Sequence, residues 1–220
     1  MARKHTPSFG RRTWNGDPTT VAEARRRYYK DPNQFVPYVS QLYSFRHRSE
    51  FARELRALRS DLFDCADQLR TDTNYQAQAD KLDVLSTILE WLSRSDSYSE
   101  ATSRTVRNKA VEACYHGLDC ANEISRSHTW CLLKLTLVRL LIDDRQFEGI
   151  QEHLAEVSGF ARKIQDPNQR ARVYRKLGLL YRMSSHLLPG YGWGIRACVV
   201  PGVPPPVCFK SVAALLGIDR

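Results

Sequence analysis

The sequence predicts an all-α protein made of antiparallel helical hairpins. Apolar residues recur at spacings of three and four from Phe51 to Tyr181, as one face of a helix requires. No stretch from 50 to 188 alternates apolar and polar residues as a half-buried strand would. Capping signals and short polar turns cut this stretch into helices, and short connections make sequence neighbours antiparallel.

The elements follow in order. Residues 1–49 read as a basic, partly disordered arm with short helices, one of them from Thr20 to Lys30. Within it, Asp31-Pro32-Asn33-Gln34 is a helix-start signal, but Pro37 follows closely and limits it to a short turn. Residues 50–188 form the helical domain. Phe51, Leu55, Leu58, Leu62, Cys65 and Leu69 mark a first helix over 50–70. After a turn at Thr71–Asn74, Ala79, Leu82, Leu85, Ile88, Leu89 and Leu92 mark a second over 75–92. A loop at 93–99 precedes a third, over 102–125, with Val106, Ala110, Ala113, Cys114, Ala121 and Ile124. The fourth, over 129–142, is apolar almost all round, and Asp143-Asp144-Arg145 ends it in a tight turn. The fifth carries Phe147, Ile150, Leu154, Val157 and Ala161.

The sixth helix opens on the second copy of the tetrapeptide. Asp166 is the N-cap, Pro167 sits where its missing N–H is harmless, and Gln169 holds the capping-box position. Its apolar stripe of Val173, Leu177, Leu180 and Tyr181 runs until Pro189-Gly190. The repeated DPNQ is thus a start signal and not a binding element. Residues 189–220 form an irregular tail, with five prolines and four glycines in the 23 residues from Pro189. Either this tail folds back over the last helix or the chain is a shortened form with a different ending; Val212–Ile218 would supply a brief capping turn.

In the sixth helix, Ala171, Tyr174, Leu177, Gly178 and Tyr181 stand as A-x2-Y-x2-L-G-x2-Y. This resembles the first helix of a tetratricopeptide repeat, W-x2-L-G-x2-Y, with Tyr174 in place of the tryptophan. One unit earlier, at an offset of 40 residues, Leu137, Leu141 and Phe147 take corresponding places, with Lys134 and Val138 where the aromatic and the glycine would be. The resemblance implies hairpins stacked as a short α-solenoid (TPR-like). It also implies a non-catalytic scaffold or adaptor that binds protein partners in a groove. The pattern residues themselves would hold helices together and touch no ligand.

Composition bounds the alternatives. The net charge is +9, and residues 1–60 hold +8 of it, with 13 Lys+Arg against 5 Asp+Glu. Arg3, Lys4, Arg11, Arg12, Arg25, Arg26, Arg27 and Lys30, interleaved with Phe9, Trp14, Tyr28 and Tyr29, make the arm a candidate for RNA or DNA. Arg172, Arg175 and Lys176 add a second basic surface on the last helix. A nucleic-acid-binding helical protein, nucleocapsid-like or chromatin-associated, is therefore the alternative to the adaptor, with the arm rather than the body carrying the affinity. No apolar run approaches the ~18 residues of a membrane span. Six cysteines without a secretory signal read as reduced thiols in a cytoplasmic or nuclear protein.

No sequence pattern points to catalysis or to a cofactor. There is no phosphate-binding glycine loop, no G-x-S-x-G and no H-E-x-x-H. Cys114, His116, Cys120, His128 and Cys131 superficially resemble a zinc cluster. On one helix, however, positions 114 and 116 lie about 200° apart and 114 and 120 about 240° apart, so they converge only if the helix breaks at Gly117. Cys198 and Cys208 would pair only in an oxidising compartment, and Pro201–Pro206 reads as a stiff linker.

Overall fold

The computed structural model describes residues 31–71, 74–123 and 127–183. Among these there are eight α-helices and no strand: α1 (Pro32–Ser44), α2 (Ser49–Ala57), α3 (Arg59–Gln68), α4 (Tyr75–Ser93), α5 (Glu100–Glu123), α6 (His128–Asp143), α7 (Ile150–Ala161) and α8 (Pro167–Met183). The all-α expectation holds throughout the described chain. The N-terminal segment through residue 30 and the C-terminal tail lie outside the described residues.

Three elements depart from expectation. The first DPNQ starts a full helix, not a short turn. Asp31 Oδ1 caps the Asn33 N–H at 2.9 Å, and α1 continues through Pro37 for 13 residues. Pro37 removes one backbone donor, but burial of Phe35, Val36, Val39 and Leu42 against the body outweighs that loss. Residues 31–49 therefore belong to the folded body and not to the arm.

The expected helix over 50–70 is two helices, α2 and α3, meeting at the buried Leu58. No Pro or Gly marks the break. The Tyr98 hydroxyl approaches the Arg56 carbonyl at 3.4 Å, and such a side-chain intrusion into the backbone ladder is a common cause of kinks.

Phe147 belongs to no helix and is 61% exposed. Helix α6 ends in a Schellman arrangement: the Arg145 N–H donates to the Ile142 carbonyl and the Gln146 N–H to the Leu141 carbonyl, with Arg145 left-handed at φ 58°. Gly149 is left-handed too, at φ 73°. These two residues bracket Phe147, so α7 cannot begin before Ile150.

The remaining helices match closely. Asp166 Oδ1 accepts from the Asn168 and Gln169 N–H groups at 2.7 and 3.0 Å, as the N-cap reading requires. Packing orders the body into layers. Helix α6 packs against both α4 and α8, while α5 and α7 flank this trio and α1 and α3 cover α4. Thr129 near the start of α6 meets Asp80 near the start of α4, and Arg139 late in α6 meets Met183 at the end of α8. Helices α4, α6 and α8 therefore run parallel. Gln78 at the start of α4 meets His116 late in α5, which makes that neighbouring pair antiparallel. Gly117 allows the close approach of α5: a Cβ there would lie 2.9 Å from both Leu133 methyl groups.

Candidate functional site

Helix α4 is apolar in its core register, yet it carries Asp80, Asp83, Ser86 and Glu90. Their spacings of three, three and four place them along one side of the helix. That side meets α6 and α8. The Thr129 hydroxyl donates to Asp80 Oδ1 at 2.5 Å. An Arg172 guanidinium nitrogen lies 3.7 Å from Asp83 Oδ2, while Asp83 Oδ1 is buried without a hydrogen-bond partner. Lys176 Nζ points inward from α8 and donates to the Thr136 hydroxyl of α6 at 2.7 Å.

Further along, Glu90 pairs with Arg94, and Arg139 Nε lies 3.8 Å from Glu90 Oε1. Asp143 closes the network, 3.4 Å from Arg139 Nε and 3.7 Å from Arg94 Nε. The result is a charged seam shared by three parallel helices.

The seam is stratified. The carboxylate side chains of Asp83, Glu90 and Asp143 are 7%, 11% and 16% exposed, while Arg94 and Arg172 are 38% and 59% exposed. These three acids lie underneath, Arg94 and Arg172 reach water, Arg139 is mostly covered, and Asp80 is exposed. Burial pushes the Asp83 carboxyl above its usual range, with Lys176 and Arg172 pulling the other way. Burial pushes the Lys176 ammonium down, partly offset by Asp83 and Glu90. Both shifts follow from desolvation within an ion-pair network.

The three basic residues singled out on the last helix do not form one surface. Arg172 sits on Asp83, Lys176 turns inward to Thr136, and the exposed Arg175 donates from Nε to its own helix at the Ala171 carbonyl. Arg3, Lys4, Arg11, Arg12, Arg25, Arg26, Arg27 and Lys30 lie outside the described residues. Sequence reasoning passed over Asp83, Glu90, Arg94, Arg139 and Asp143. Their only signal was carboxylates recurring at helical spacing inside an otherwise apolar helix.

The cysteine–histidine group is dispersed. Helix α5 runs unbroken through Gly117. Cys114 and Cys131 are buried, and burial pushes each thiol up to about 12. His116 Nε2 lies 3.0 Å from the Gln78 amide nitrogen, and burial lowers its pKa. Among the described residues no group of three or more His, Cys, Asp or Glu is arranged to hold a metal, and no helix is long and apolar enough to cross a membrane.

No protein-family model, no curated protein and no solved structure matches the chain.

Proposed function

We infer that the chain is a non-catalytic helical-repeat scaffold that binds a protein partner across the face shared by α4, α6 and α8. On this reading α4–α5 and α6–α7 are successive hairpins of a short TPR-like solenoid, and α8 is the first helix of a third. The parallel run of α4, α6 and α8, with α5 and α7 flanking, supports that assignment. So does the placement of Tyr174, Leu177 and Gly178, all buried where the pattern would need helix-packing residues.

The observation that carries the functional reading is the stratified seam. Asp83, Glu90 and Asp143 are largely covered while Arg94 and Arg172 are exposed, so the face presents cations to a partner while these acids stay committed to the fold. Such a face favours an acidic segment, since rim charges set complementarity and association rate. The cytoplasm or nucleus is the compartment that fits this reading.

The test is affinity capture from nuclease-treated lysate with the wild-type chain and with Arg172→Glu. The reading requires partners that persist after nuclease, are lost with Arg172→Glu, and cross-link to α6 or α8. Partners that disappear with nuclease, or that ignore the charge reversal, would remove it.

A further inference from the structure

A different end of the body holds cations that the seam does not use. Residues 45–60 contain five arginines, one histidine and only two carboxylates, Glu50 and Glu54. The fold brings them beside the α4–α5 loop. Arg46 lies over the Tyr43 ring, 4.0 Å from its centroid, and Tyr43 meets Trp91 edge-to-face at 6.1 Å. Arg59 lies over the Tyr98 ring at 5.5 Å, and the Tyr98 hydroxyl reaches the Arg56 carbonyl. Arg48 lies over Phe45 at 5.7 Å, and Phe45 is itself an exposed ring. Between these groups opens a pocket of about 400 Å³ lined by Arg56, Trp91, Arg94, Ser95, Asp96 and Ser97.

None of Arg46, Arg48, Arg56 and Arg59 is ion-paired among the described residues. Three of them rest on aromatic rings instead. A guanidinium parked on a ring keeps most of its in-plane N–H donors free and is already ordered, so it loses less freedom when an anion arrives. Its planar fork matches a phosphate. The carboxylates that face this end are few. Glu90 is held by Arg94 and Arg139, Glu54 is half-buried, and Asp96 at the pocket wall and the exposed Glu50 remain.

We propose that this arginine–aromatic end of the folded body is a binding site for single-stranded nucleic acid. Phosphates lie on Arg46, Arg56 and Arg59, and an unstacked base enters the pocket against Trp91. The chemistry distinguishes this ligand from others. Cations alone would suit any polyanion, but a half-exposed indole in a pocket flanked by serine hydroxyls suits a base that has left its stack. A duplex keeps its bases stacked and offers the pocket nothing. An acidic polypeptide would use the cations and leave the indole idle. Its phosphate-binding arginines belong to the α1–α2 loop, α2 and α3, and it meets the seam of the protein-binding face only at Arg94, which lines the pocket wall.

The test uses the full chain and fluorescence anisotropy with labelled single-stranded RNA and DNA 20-mers, the matching duplex, and polyglutamate as competitor. The wild type should bind single strands at least about tenfold more tightly than duplex, as stacking-based sites do. The triple variant Arg46→Ala/Arg56→Ala/Arg59→Ala should weaken single-strand binding at least about tenfold. It should also flatten the log–log salt dependence by about 2, since each phosphate contact on a single strand contributes roughly 0.7 to that slope. Trp91→Leu should cost about tenfold with the salt slope unchanged, the signature of a lost stack rather than a lost charge. Circular-dichroism melts establish that each variant is folded, and Arg53→Ala, a neighbouring arginine outside the proposed contacts, serves as a single-charge control. Wild type that fails to bind overturns the proposal, as does a triple variant that binds like wild type while Arg25→Ala/Arg26→Ala/Arg27→Ala does not. Polyglutamate that competes as well as an oligonucleotide, with Trp91→Leu silent, would make the site one for acidic protein instead.

Discussion

Arg172 on α8 sets a guanidinium nitrogen 3.7 Å from Oδ2 of Asp83 on α4, an ion pair whose anion is buried and whose cation is mostly in water. The pairing ties two helices that do not adjoin in sequence. It also leaves the second oxygen of Asp83 without a partner, beside the inward-turned Lys176. Buried ion pairs contribute little net stability, but removing one partner is severe because the other charge is stranded. Lys176→Met should therefore destabilise the fold, because it removes a cation that offsets the buried Asp83 and the donor to the Thr136 hydroxyl. Adding Asp83→Leu should recover most of that loss, since no stranded carboxylate remains. Urea denaturation of the two single variants and the double variant measures the coupling, and simple additivity would mean that Lys176 does not neutralise Asp83.

The same carboxylate makes stability depend on pH. Asp83 has a native pKa above its unfolded value of about 3.9, so folding takes up a proton in the range between the two. Its effect on stability is favourable at the acidic side of that range and is lost as pH rises through the native pKa. Lys176 has a native pKa below its unfolded value of about 10.4, so its effect is favourable above that value and is lost as pH falls through the native pKa. Asp83→Asn removes the acidic-side dependence alone. Melting temperatures from pH 4 to 8 should fall less steeply with rising pH in Asp83→Asn than in wild type. Parallel curves would show that Asp83 is ionised normally.

Leu137→Asp should abolish folding. Leu137 is buried on α6, the helix that packs against α4, α5, α7 and α8. A carboxylate buried there costs several kcal/mol, and losing the leucine from the core adds to it, which together use up most of the roughly 5–15 kcal/mol that a domain has to lose. Loss of the cooperative melting transition checks this; a retained wild-type melt would place Leu137 at a surface.

Much of the helical order was legible because each helix announces itself locally. Asp166 and Pro167 open α8, and Leu82, Leu85, Ile88 and Leu92 keep one register through α4. The errors arose where a tertiary contact decided a local question. Pro37 argued against a helix, and only burial of Phe35, Val39 and Leu42 reversed it. Leu58 sits in a continuous apolar stripe, and the contact beside its break, from the Tyr98 hydroxyl to the Arg56 carbonyl, comes from about 40 residues away in sequence. The seam was hidden for the same reason. Asp83 and Glu90 read as ordinary charges until Arg172, Lys176 and Arg139 arrive from other helices. The arginine–aromatic end was visible as the run from Phe45 to Arg59, but the larger excess in residues 1–30 drew the charge argument away from it.

Pro37→Ala should stabilise the protein. Pro37 is exposed, so its ring contributes little packing, and it leaves the Asn33 carbonyl without its helical donor. Proline inside a helix costs about 3 kcal/mol against alanine, although relief near an N-terminus is smaller. A gain of about 1–2 kcal/mol is expected, read as a shift in the urea midpoint at constant slope. An unchanged midpoint would mean that α1 frays before Pro37 is reached.

Two helical glycines should respond in opposite directions to the same change. Alanine is favoured over glycine in a helix by about 1 kcal/mol, so propensity alone predicts that both Gly117→Ala and Gly159→Ala stabilise. Packing separates them. At Gly159 an added Cβ meets nothing within 4 Å, so the propensity gain should appear nearly in full. At Gly117 the Cβ would lie 2.9 Å from both methyl groups of Leu133 and 3.2 Å from Cβ of Leu82. Leu133 is itself fully buried in a packed core, and Leu82 meets the added group with its Cβ, which is fixed to the backbone. Helix α5 must then move away from α4 and α6, and overpacking of this kind costs about 1–3 kcal/mol, more than propensity returns. Gly117→Ala should lower the melting temperature while Gly159→Ala raises it. Stabilisation by both would mean that α5 sits farther from Leu133 than these contacts imply, and that the glycine is not what sets the spacing of the α4–α5 hairpin.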